Sequence, residues 1–128
     1  MESLLKLSLI GAGGFTGAVL RFLVSSWVQG RSGSIIFPFG TLSVNMLGCL
    51  LIGFLTALVE MKSMFSPETR SFLLIGLLGA FTTFSTFGNE TLNLIRESRM
   101  ELALLNAGGQ IIFGVFLVWV GRLLAGLL

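Results

Sequence analysis

Histidine, aspartate and tyrosine are missing from this sequence, and cysteine occurs once, as Cys49. A His/Cys metal cluster and a disulfide framework are thereby excluded, along with most side chains that move protons near neutral pH. No nucleophile–base pair is in view, so the chain does not read as an enzyme. Charge is scarce as well: 8 Lys and Arg and 6 Glu make up 11% of 128 residues. A soluble domain carries about 25%, so the composition argues against a water-soluble monomer. The net charge of +2 comes from scattered residues rather than a basic stripe, which gives no nucleic-acid surface. Proline occurs only twice. What is abundant is apolar: 54% hydrophobic residues, 12 Phe and 17 Gly, with a mean hydropathy of +0.96. Glycine at that level fits close-packed helices in lipid.

A bilayer core about 30 Å thick takes roughly 20 apolar helical residues. Leu42–Val59 and Leu102–Val120 are free of charge, and Leu4–Val28 is apolar apart from Lys6 and an Arg21 near its far end. The third stretch, apolar over Ser71–Phe81, turns polar in Thr82–Glu90. The pattern predicts one transmembrane domain over 1–128, all-α, with helices near 4–28, 39–59, 70–95 and 101–126. Gln29–Phe39, with Gly30, Gly33 and Pro38, predicts a loop. Ser66-Pro67-Glu68 predicts the start of the third helix. Four spans put Lys6, Lys62, Arg70 and Arg122 on one side and Arg21, Arg31, Arg96 and Arg99 on the other. Orientation normally follows an excess of Lys and Arg in cytoplasmic loops, and here the sides balance. Insertion in both orientations, with antiparallel pairing of copies, is the expectation.

The run Gly11–Gly17 lacks the spacing of a phosphate loop and sits in an apolar helix; Gly13 and Gly17 read as a small-residue packing face. Asn45 lies inside the second span, with Thr41 a turn before it. An unpaired amide in hydrocarbon is costly, so Asn45 either clasps another helix or lines a pore. Gly79–Gly88 packs four hydroxyls and three Phe into a stretch whose Thr and Gly weaken a helix. The expectation is a break near 79–83, close to mid-membrane. Such a break must be buried in protein or line a water-filled cavity, and its freed carbonyls can hold a cation. Phe84 and Phe87, at i and i+3, share a helical face that Phe81 extends; they either pack or turn their positive ring edges to an anion. Arg21 either snorkels to the interface or serves a site. Asn106 and Gln110, at i and i+4, share a face of the last span.

Taken in order, Gly17-x-x-x-Arg21-Phe22, Gly40-Thr41-Leu42-x-x-Asn45-x-x-Gly48 with Gly53, and Gly79-x-x-Thr82-Thr83-Phe84-Ser85-Thr86-Phe87 with Glu90 resemble the Fluc-type (CrcB) fluoride channels across nearly the whole chain. The resemblance implies a fluoride-selective channel in a prokaryotic plasma (inner) membrane, exporting F− passively to relieve its toxicity. It implies an antiparallel, dual-topology homodimer with two pores and a central structural Na+. Phe84 and Phe87 would supply ring edges and Asn45 an amide to fluoride, with Ser85, Thr86 and Thr41 along the polar pathway. The carbonyls of Gly79 and Thr82 from each copy would hold Na+, Arg21 would stand at a vestibule, and Glu90 and Gln110 would support the path. The last helix departs from the family pattern: Gly108, Gly109, Ile112, Gly114 and Val118 stand where hydroxyls are usual.

Two other functions compete. A proton-coupled small multidrug exporter needs a membrane-embedded carboxylate in its first helix, where this chain has only Glu2 at the wet end. A non-transporting accessory subunit accounts for the glycines but not for a polar, Phe-rich interruption in an apolar helix.

Overall fold

A computed structural model describes residues 2–128. Among the described residues there is no strand. Four helical spans are long and apolar enough to cross a membrane. Helix α1 is Glu2–Ser32 and α2 is Phe39–Lys62. Helix α3 covers 67–81: one turn at Pro67–Arg70, wider π-helical turns over Ser71–Leu78, and a last turn at Gly79–Phe81. Thr82 (φ −93°, ψ 160°) and Thr83 (φ −151°, ψ 113°) are extended, and α4 follows over Phe84–Arg96. The last helix, α5, is Met100–Gly126.

Local chemistry sets most of these ends. Helix α1 runs past the last apolar residue, Val28, because Gln29 braces the turn that follows. Its Nε2 donates to the carbonyls of Ser34 (2.6 Å) and Phe37 (3.1 Å), and its Oε1 accepts from the Gly40 N–H (2.9 Å). Gly33 makes the reversal at φ +67°, a left-handed conformation that suits a residue without Cβ. Ser66 caps α3 by accepting from the Thr69 N–H, with Pro67 in the first turn.

Packing rests on backbone-to-backbone approach. A Cβ on Gly13 or Gly17 would run into the backbone of 72–77, and one on Gly76 would meet that of Ile10 and Gly13. This fastens α1 to α3. Likewise Gly53 admits the Val118 backbone and Gly121 that of Leu50, which fastens α2 to α5. In lipid, where apolar contact alone gives little preference for one helix partner, such close approach supplies the dispersion energy that holds a bundle. Much of the remaining surface is apolar and exposed, including Phe15, Phe22, Phe84, Ile112 and Val115, as a lipid-facing or partner-facing surface requires.

Candidate functional site

Helix α2 presents Thr41, Asn45 and Gly48 at one-turn intervals, and each meets the polar stretch of the third span. Gly48 leaves room for the Thr82 Cγ2 methyl; a Cβ there would overlap it. Asn45 grips the extended backbone at both ends of one residue: its Oδ1 accepts from the Thr83 N–H (2.8 Å) and its Nδ2 donates to the Thr83 carbonyl (3.1 Å). Thr41 donates through Oγ1 to Glu90 Oε1 (2.7 Å), while Glu90 Oε2 is buried without a partner.

These contacts account for the interruption between α3 and α4. In a continuous helix the Thr83 N–H would bond to the Gly79 carbonyl, but it is directed to Asn45 instead. The Thr82 N–H and Oγ1 both donate to Leu78 (3.2 and 3.1 Å). Among the described residues, neither the Gly79 nor the Thr82 carbonyl accepts a hydrogen bond. Both are therefore hard oxygen donors of the kind that suits a small cation. Gly79 is exposed, with nothing but the Leu74 carbonyl within 4 Å of where its Cβ would lie. Thr83 then restarts the chain as the cap of α4, its Oγ1 accepting from the Thr86 N–H.

A cavity of about 350 Å³ lies against this point, its walls including Asn45, Gly79, Thr82, Phe84, Phe87 and Gln110. The two rings are tilted to one another, centroids 5.4 Å apart, yet their surroundings differ: Phe87 is 8% exposed and Phe84 83%. One ring belongs to the interior of the single chain and the other projects from it. A second, more polar cavity of about 810 Å³ is lined by residues including Ser25, Gln29, Ser34, Thr41 and Glu90. Thr41 and Glu90 thus lie beyond the Phe-lined cavity, at its neighbour.

Some expected site residues stand apart from these cavities. Ser85 and Thr86 are exposed and line neither; their hydroxyls lie 3.4 and 2.9 Å from Thr83 Oγ1. Arg21 is half-buried on α1, makes no hydrogen bond or ion pair among the described residues, and is absent from both linings. Asn45 does not present a free N–H, because its second Nδ2 hydrogen goes to Gln110 Oε1 (2.7 Å). Both donors of the amide are engaged within the single chain.

The Gln110 bond opens a relay. Gln110 Nε2 donates to Asn106 Oδ1 (3.0 Å), Asn106 Nδ2 to Thr91 Oγ1 (2.9 Å), and Thr91 Oγ1 to the Phe87 carbonyl (2.8 Å). Asn106 is fully buried and Gln110 nearly so. The i, i+4 spacing signals their common face, but nothing local names Thr91 or Thr83 as partners.

Known proteins resemble this chain over most of its length. Residues 8–122 match the family described as CrcB-like protein, Camphor Resistance (CrcB). A fluoride-specific ion channel FluC from Methanosarcina acetivorans is 45% identical over 91% of this chain and 88% of its own length. The FluC channel of Maridesulfovibrio salexigens is 47% identical over 91% of each chain. That of Parabacteroides distasonis is 46% identical over 94% of this chain and 93% of its own. With the match reaching into every helical span and including the polar interruption of the third, the chain belongs to the CrcB family.

Proposed function

We propose that this chain is a fluoride-selective channel that lets F− leave the cell passively across the plasma membrane of a prokaryote. The observation that carries the reading is the convergence of Phe84, Phe87, Asn45 and an interrupted helix on one cavity, in a chain whose relatives are named for fluoride. A small anion surrenders its hydration only to groups that replace it. Ring edges carry partial positive charge and no mobile proton, so they meet fluoride without protonating it. An aromatic constriction offers less to chloride, which is larger and demands less of its hydrogen bonds. The path is a pore and not an enzyme site. In acidic surroundings, neutral HF crosses lipid and dissociates in the less acidic cell interior, trapping the ion; a channel lets it return down its gradient.

The working unit in this reading is an antiparallel, dual-topology homodimer with two pores. The exposed Phe84 ring and the open face at Gly79 support it, since a second copy would cover both. The mid-membrane break fits the same picture: backbone carbonyls left free in the bilayer need burial or a ligand. Gly79 and Thr82 would hold the structural Na+ between copies, the ion supplying positive charge that ties the two interruptions together. Arg21 would draw anions toward the wider, polar cavity at Thr41 and Glu90, and Ser85 and Thr86 would support the pathway through Thr83.

Replacing Phe84 or Phe87 by Ile tests the ring-edge role, because Ile keeps apolar bulk and loses the quadrupole. The expected outcome is fluoride efflux from liposomes reduced by at least about tenfold, the kinetic equivalent of about 1.4 kcal/mol. Dimer elution should be unchanged. Efflux equal to the unsubstituted channel in both variants would remove the rings from the mechanism.

A further inference from the structure

Asn45 has one acceptor and two donor hydrogens on its amide, and all are engaged. The acceptor holds the Thr83 N–H, one donor holds the Thr83 carbonyl, and the other holds Gln110 Oε1 at 2.7 Å. No ion can take a hydrogen bond from this amide unless one of two oxygens first withdraws. The Thr83 carbonyl is backbone, fixed by the cap that starts α4. Gln110 is a side chain with rotatable bonds on a regular helix, and it borders the cavity that holds Phe84 and Phe87.

We propose that Gln110 is an exchangeable internal ligand of Asn45: its carbonyl occupies the amide donor until fluoride displaces it, and so sets how tightly the pore holds the ion. The inference rests on the reading of Asn45 as part of a fluoride path. Gln110 is then a positioning residue, acting through Asn45. Its own amide is held at the other end by Asn106 Oδ1 (3.0 Å), and Asn106 is anchored on Thr91 (2.9 Å). The relay keeps the carbonyl poised at Asn45 when the pore is empty and returns it there when the ion leaves. An unmet donor in so apolar a cavity would be costly, and it would also bind anions without release. A competing neutral oxygen lowers that affinity to a level compatible with flow, because conduction needs a site weak enough to leave.

The experiment measures initial efflux rate against fluoride concentration for the full chain in liposomes, yielding a half-saturating concentration and a maximal rate. Gln110→Met preserves volume and removes the competing oxygen. It is expected to lower the half-saturating concentration about three- to tenfold, the worth of one neutral hydrogen bond, with a lower maximal rate. Asn106→Leu, which frees Gln110 from its anchor, should shift half-saturation in the same direction and serves if the first variant does not assemble. Gln110→Glu keeps an acceptor oxygen beside Asn45 and adds negative charge, so it should raise the half-saturating concentration. A structural brace alone would weaken binding in all three. An unchanged or raised half-saturation in Gln110→Met and Asn106→Leu, with the unsubstituted channel conducting fluoride, overturns the role of Gln110 alone. Absence of fluoride flux in the unsubstituted protein overturns the channel reading and this inference together.

Discussion

Asn45 divides its amide among the Thr83 N–H, the Thr83 carbonyl and Gln110, and one substitution separates holding the backbone from serving an anion. Asn45→Asp retains an oxygen to accept from the Thr83 N–H, so the turn into α4 should persist. It loses both donors and places negative charge in the cavity. The expected result is a folded protein with fluoride efflux at least about a hundredfold reduced, since a charge facing a like charge at low dielectric costs several kcal/mol. Helical content by circular dichroism and efflux from liposomes check the two halves. A variant that conducts like the parent would show that Asn45 serves the backbone only. Part of this was legible in the sequence. An amide inside an apolar span has to be satisfied, which marks Asn45 without any structure. Its partners were not legible, because Thr83 lies 38 residues away and Gln110 65, and spacing reports only neighbours on the same helix.

Between elements, the contact of Gly48 with the Thr82 methyl seats α2 against the end of α3. Gly48→Ala should destabilise the protein by about 1–3 kcal/mol, the usual cost of overpacking. The next atoms, Thr82 Cβ and Phe81 Cδ1, lie 3.6 and 3.8 Å from the added Cβ. Adding Thr82→Ser, which deletes the methyl and keeps both hydroxyl and carbonyl, should therefore restore most of the loss. Thermal unfolding of the single and double variants in detergent reads this out. A double variant no more stable than Gly48→Ala would reject the contact as the cause. Helix existence follows from the long apolar runs, and the start of α3 from Ser66-Pro67. The π-helical turns of Ser71–Leu78 leave no such trace: SFLLIGLL is apolar on every side, so it carries no periodicity to distinguish a wider turn from an α turn. The split between buried Phe87 and exposed Phe84 is equally invisible, since i, i+3 spacing makes them neighbours and only tertiary packing decides which is covered.

For the whole molecule, the even division of Lys and Arg between the two sides and the exposed ring of Phe84 are what the proposed dual-topology dimer rests on. The Glu60–Arg122 pair, both side chains exposed, joins the ends of α2 and α5, where solvent screening leaves an ion pair worth little. Fusing a cytoplasm-active and a periplasm-active reporter to the C-terminus should give signal from both in comparable amounts. Adding three Lys after Leu128 should bias the population to one orientation and, with antiparallel partners depleted, reduce efflux. Reporter signal from one side alone in the unsubstituted chain would reject dual topology. The central claim is selective conduction, and it is tested most directly by reconstituting only this protein and following efflux with fluoride- and chloride-sensitive electrodes in paired vesicle samples. The account predicts rapid loss of entrapped fluoride while chloride is retained over the same interval. Retained fluoride, or equal release of both anions, would contradict it.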